Sequence, residues 1–285
     1  MDKCICCGNS GFKTVFQWRD TGQNNVRVNQ CLLCGLMYQD IALKEEELNL
    51  LYNDEFFDIY EKHFLKFRQK QFRRDINTIN AIKPPPGKLL DIGCAFGIFL
   101  NEALKTGWSV SGIDVSKNAV EYARSKYGLN IFMGTLAAAK MESGSFDVVT
   151  AWDVIEHVAD PGKFLEEAGR IIKKDGILAI RTPNAECAFL KINKLVNDVF
   201  GDYFAKVGPK FEHHKYLFSV DALKRILAKH GFEVIDFRLE LEDIVIVDKP
   251  SLINYMKAFA KKIIKMFEFF YRKRRASILL YARKV

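Results

Sequence analysis

Residues 89–100 read LLDIGCAFGIFL. Leu89, Leu90, Asp91 and Ile92 suit a buried strand that ends near an acid, Gly93 and Gly97 stand four apart, and Ile98, Phe99 and Leu100 open a helix-compatible run. Glycines in such a turn let bare backbone amides approach a ligand, and the helix that follows presents its positive end there. A dinucleotide-binding turn reads G-x-G-x-x-G, with an acid for the ribose about twenty residues later. Only two of those glycines are present here, and Asp91 lies just before the first. Asp114, closing the run VSGID, suits ribose hydroxyls of either cofactor class. Asp91 discriminates, because a carboxylate at a strand tip favours a cationic amino-acid end over a pyrophosphate.

Outward from this stretch, short β-type runs at 88–92, 109–113, 130–133, 146–152 and 176–182 alternate with amphipathic helical runs. That alternation predicts right-handed βαβ units and an α/β fold with helices on both faces of a parallel sheet. Pro84-Pro85-Pro86-Gly87 marks the boundary before this core. The preceding segment, 41–86, has helical apolar spacing (Phe64, Phe67, Phe72, Ile76, Ile79) and is expected to pack on it.

Four quoted stretches together resemble the class I S-adenosylmethionine-dependent methyltransferases: LLDIGCAFGIFL as the first motif, GIDVS as the ribose-binding strand end, FDVVTAWDVIEHVADP as the fourth strand and its turn, and GRIIKKDGILAIRTPN as the helix and fifth strand. The resemblance covers roughly residues 87–240 and the last ten. It implies a Rossmann-like seven-stranded, mostly parallel sheet with an antiparallel last strand, residues 231–240 and 277–285 supplying the final two. It also implies a cofactor pocket of Asp91, Gly93, Cys94, Ala95, Gly97, Asp114, Val115, Thr135, Leu136 and Trp152. Where the family often has Gly-Asp after the third strand, this chain has Gly134-Thr135-Leu136, so Thr135 and backbone groups stand in for the acid that meets the adenine. Asp153, at the tip of the fourth strand, is expected in the pocket wall.

Methyl transfer from a sulfonium is an in-line displacement with a neutral leaving group. Alignment and proximity supply most of the acceleration, and a base is needed when the acceptor must lose a proton. In KFEHHKYLFS, His214 best matches a histidine found before an aromatic-Ser segment in relatives acting on small molecules and sugars, with His213 adjacent. Either of these carries catalysis or acceptor binding, or one caps the helix that begins at Ser219-Val220-Asp221. His157 is read as holding its turn together. The amphipathic stretch within 186–218 occupies the lid position over the acceptor.

CICCG and CLLCG place Cys4, Cys7, Cys31 and Cys34 as two C-x-x-C knuckles separated by 23 residues. Such knuckles close a tetrahedron of thiolates, so residues 1–40 are expected to form a small N-terminal zinc ribbon with a structural metal. So few apolar residues would hardly fold without it. Cys6 and Cys187 have no evident partner.

The opening MDKCICCGNS lacks a secretory pattern, which together with the paired cysteines gives a cytoplasmic expectation. From Lys249 to the end there are eleven Lys and Arg against Glu268 alone, more than the whole net charge of +8. This weakens a nucleic-acid role for the rest of the chain. In the 250–275 insert, Leu252, Met256, Phe259, Ile263, Phe267 and Phe270 form one helical stripe, and Lys257, Lys261, Lys265 and Arg272 line another face. Such a helix either lies peripherally on an anionic membrane or packs on the enzyme or a partner. The reading is a cytoplasmic methyltransferase acting on a small molecule, sugar nucleotide or lipid-linked glycan precursor, without specific nucleic-acid binding and of open oligomeric state. The rivals are a ribosomal-RNA methyltransferase and a non-catalytic zinc-ribbon scaffold. The clustering of basic residues with phenylalanines weighs against the first, and intact Asp91, Gly93, Gly97 and Asp114 against the second.

Overall fold

The computed structural model describes residues 2–19, 25–40, 65–187, 190, 214–240 and 276–285. The 41–64 part of the helical segment, most of the 186–218 lid, His213 and the 250–275 helix lie outside these residues.

In chain order the elements are β1 Phe12–Arg19, β2 Asn25–Cys31, β3 Met37–Gln39, α1 Leu65–Ile82, β4 Lys88–Ile92, α2 Ile98–Lys105, β5 Ser109–Asp114, α3 Lys117–Tyr127, β6 Ile131–Met133, β7 Phe146–Trp152, α4 Pro161–Ile171, β8 Ile172–Pro183, β9 Tyr216–Leu217, α5 Val220–Lys229, β10 Phe232–Glu240 and β11 Ser277–Lys284. The larger sheet has seven strands in the order β10-β11-β8-β7-β4-β5-β6. Neighbours from β8 through β6 run parallel, while β11 runs antiparallel to both β8 and β10. This is the Rossmann-like sheet that the family resemblance implies, its parallel part foreseen in the alternation of strands and helices.

The two faces follow the period of two. On β7, Val148 and Trp152 join Phe72, Ile76 and Ile79 of α1 and Phe99 and Leu100 of α2. Val149 and Ala151 point the other way, into a cluster with Phe164 and Leu165 of α4 and Leu223 and Ile226 of α5. Burying each such aliphatic side chain contributes about 1.5–3 kcal/mol. Helix starts are set by short polar side chains. Asp160 Oδ1 accepts from Gly162 N at 2.9 Å and Lys163 N at 3.1 Å before α4, with Pro161 in its first turn. Ser219 Oγ accepts from Ala222 N at 3.0 Å before α5, so a serine, not a histidine, caps that helix. Each such cap is worth about 1 kcal/mol.

One strand boundary of the sequence reading is moved by the structure. β8 begins at Ile172, not 176, because Lys173-Lys174-Asp175-Gly176 is accommodated as an irregularity, with the β7 register passing from Phe146↔Ile172 to Val148↔Ile177 and Asp175 at φ 60. The polar run that looked like a turn before the strand lies within it. Residues 1–40 take a partner strand from far along the chain. β1, β2 and β3 form a sheet whose fourth strand is β9, paired antiparallel with β3 at Met37↔Leu217 and Tyr38↔Tyr216. Cys4, Cys6, Cys31, Cys34, Leu36 and Tyr38 belong to the same buried cluster as α4 and α5. The apolar partners this segment lacks are supplied by the larger sheet's own helices.

Candidate functional site

The turn after β4 folds as its glycines require. Gly93 and Gly97 have φ 69 and 71, in the left-handed region. A Cβ on Gly93 would stand 2.5 Å from Val154 Cγ2, and one on Gly97 2.5 Å from Leu129 Cδ1. Gly97 is also the cap of α2. Between them Ala95, at φ 42, turns its N–H to Asp114 Oδ2 at 2.7 Å, and Asp114 Oδ1 accepts from Ser116 N at 2.8 Å. The carboxylate at the end of β5 is therefore tied to the glycine turn and retains lone pairs for further donors. Burial raises its pKa. Val115 beside it is half-buried, Leu136 is buried, and Thr135 is exposed, its Oγ1 accepting from Ala138 N at 3.3 Å. Cys94 is buried under the turn, with its Sγ over Gly112.

Asp91 is buried at 1 % exposure and accepts from Thr150 Oγ1 at 2.6 Å. Burial pushes its carboxyl up to about 8. A carboxyl so placed ionises readily only when a cation joins it.

At the end of β7, Asp153 adopts φ 59 and its N–H donates to the Arg181 carbonyl at 2.9 Å. Its carboxylate lies 3.5 Å from Arg68 Nη2 on α1. Trp152 is buried against Phe99, with centroids 5.0 Å apart, and the Arg181 guanidinium sits 4.9 Å over its ring. Arg181 is itself buried on β8 and donates to Asp75 at 2.5 Å.

Beyond Asp153 the turn carries Glu156 and His157, and the segment entering β9 brings His214 against them. The two imidazoles lie 4.7 Å apart, centroid to centroid. Glu156 is fully buried, and its Oε2 accepts from Thr182 Oγ1 at 3.0 Å. One oxygen or nitrogen from each of Glu156, His157 and His214 falls within 4.8 Å of the others, a set able to hold a divalent cation. Sequence reasoning separated His157 from His214, and the fold brings them together. It passed over Glu156, although an acid inside the apolar run VIEHV was a usable signal, and Arg181, the lone charge in ILAIRTP.

The four cysteines also converge, with candidate sulfur ligands within 4.8 Å of one another. Cys4 and Cys34 sulfurs are 3.5 Å apart, and those of Cys7 and Cys31 3.6 Å. Metal–sulfur bonds of about 2.3 Å in a tetrahedron set sulfurs about 3.8 Å apart, so the donor set fits zinc. Cys6 is not the partnerless residue of the sequence reading. Its buried thiol lies against Cys4 and Cys34, and the hydrogen bonds it offers hold both below the usual thiol range. Cys187 is buried with Val15, Phe16 and Leu217.

Residues 64–236 match the methyltransferase domain family. The chain belongs to the S-adenosylmethionine-dependent class I methyltransferases. A ubiquinone biosynthesis O-methyltransferase of Brucella anthropi is 34% identical over 58% of this chain and 67% of its own length. That of Caulobacter vibrioides is 35% identical over 38% of this chain, which spans less than half, 45%, of that relative. Magnesium protoporphyrin IX methyltransferase from Synechocystis PCC 6803, solved with bound SAH, superimposes with TM-score 0.59 over 85% of this methyltransferase and 100% of the other chain at 15% identity, which shows the shared fold. Among its described residues no helix is long and apolar enough to cross a membrane.

Proposed function

We propose that this methyltransferase transfers a methyl group to a hydroxyl oxygen of a small molecule, with His214 as the base. The observation that carries the reading is the convergence of Glu156, His157 and His214 beyond the tip of β7, on the turn that Asp153 opens. The O-methyltransferase names of the relatives favour a hydroxylated acceptor. Sugar nucleotides and lipid-linked glycan precursors stay within that class, whereas ribosomal RNA does not.

S-adenosylmethionine supplies an electrophilic methyl on a cationic sulfur. Asp91 would hold its amino-acid end, Asp114 and Val115 its ribose, and Thr135 and Leu136 its base; the Gly93–Gly97 turn, with Cys94 and Ala95, would let the backbone approach it closely, and Trp152 and Asp153 would wall the reacting end. His214 takes the hydroxyl proton as the methyl arrives, a step suited to an imidazole acting as a general base. The buried Glu156 carboxylate stabilises the imidazolium that results. His213 is the reserve candidate on the same segment. Residues 1–40 serve as a structural zinc module, with Cys4, Cys7, Cys31 and Cys34 as ligands, ahead of a helical segment through 86 and the catalytic domain from 87.

The test is S-adenosylhomocysteine release with a panel of phenolic and sugar-alcohol acceptors. His214→Asn should lower turnover on the order of 10²-fold and leave S-adenosylhomocysteine affinity unchanged. Turnover confined to amine acceptors and indifferent to His214→Asn would sink the assignment. The same three side chains support a second reading, in which a divalent cation polarises the hydroxyl. Turnover abolished by EDTA and restored by magnesium selects it.

A further inference from the structure

We propose that Gln39, on the last strand of the cysteine-bearing sheet, is a positioning residue for His214. The inference rests on the reading of His214 as the base, and it concerns what holds that base in place. Gln39 is buried at 4 % exposure, and its Nε2 donates to the His214 carbonyl at 2.7 Å. Its backbone N–H donates to the Lys215 carbonyl at 3.0 Å. From the opposite side Lys215 N and Tyr216 N both donate to the Glu156 carbonyl, at 2.9 and 3.1 Å. The peptide carrying His214 is thus clamped between Gln39 and the turn that bears Glu156 and His157, and its imidazole lies 4.7 Å from that of His157. The strand doing the clamping is anchored in turn by the knuckle before it, since Ser219 Oγ, just past β9, donates to the Cys34 carbonyl at 2.5 Å. The cysteine-bearing segment is therefore part of the acceptor side of the site, and not an appended arm. A main-chain tether suits a residue that must move a proton, because it fixes the backbone from which the ring projects without occupying a ring nitrogen.

The experiment uses the full chain labelled at histidine ring carbons, with the His157 and His214 signals assigned from His157→Asn and His214→Asn. Gln39→Met keeps the length of the side chain and removes the donor. The His157 and His214 signals should move or broaden, while S-adenosylhomocysteine affinity stays within about twofold because the glycine turn shares no partner with Gln39. If Gln39→Met does not fold, Gln39→Glu, which accepts but does not donate when ionised, is read in the same way. Unchanged ring signals in the folded variant overturn the proposal, whatever the turnover. Shifted signals together with undiminished turnover in His214→Asn would uphold the clamp and remove the base.

Discussion

In the seven-stranded sheet β4 meets β5 through a connection holding only α2, and β7 meets β8 through α4. In the four-stranded sheet β3 meets β9, and the bond from Gln39 to His214 spans 175 residues. Much of the first sheet is assembled from local strand–helix–strand units, although β11 joins β8 from a later part of the chain. The second takes a strand, and most of its buried neighbours, from far along the chain. One sheet carries the turn proposed for the cofactor, and the other holds the histidine proposed as the base, so the two halves of the proposed site depend on different kinds of contact.

If the smaller sheet depends on its cysteines as well as on β9, the largest effect comes from Cys31→Ser. The purified wild type should contain about one zinc per chain, and the variant none, with residues 1–40 becoming protease-sensitive, because structural zinc supplies about 10–16 kcal/mol in small modules. A metal-free, protease-resistant wild type would show that β9 and the shared core suffice. A smaller effect is expected in the larger sheet. Asp114→Ala should weaken S-adenosylhomocysteine binding by calorimetry about 10- to 100-fold, from the loss of charged hydrogen bonds worth about 1.5–3 kcal/mol. His214 ring signals should be unaffected, and a change there would break the separation between the halves.

The smallest effect is a pH dependence. Asp91 titrates at about 8 when folded, raised by burial, against about 3.9 unfolded. Its neutral form suits the fold, so its contribution to stability is full below about pH 4 and is lost as pH rises through about 8. A ligand ammonium needs the ionised form, so S-adenosylhomocysteine affinity should rise about fivefold from pH 7 to 8 and flatten above that. Asp91→Asn should flatten the curve throughout. A wild-type curve that is already flat would mean that the amino end lies elsewhere.

The same contrast explains what the sequence made legible. The strand and turn of Leu89 to Leu100, the strand end at Asp114 and the β7 run are read correctly because strand period, glycine spacing and helix caps are local signals. The paired cysteines are legible for the same reason. Gln39 carries no such signal: a glutamine at the end of a short strand becomes significant only when His214 arrives beside it. Glu156 and Arg181 were overlooked for a related reason, since a buried acid and a buried cation are recognised by Thr182 and Asp75, which face them across the fold.

The late arrival of β9 also sets an order of events during synthesis. A ribosome adding about 5–20 residues per second leaves Gln39 without its partner for roughly 10–35 s. Through that interval β3 presents an open edge, the kind of surface on which unrelated strands can pair. Sealing that edge therefore waits until most of the chain has been made, and it brings the histidine to its place in the same movement.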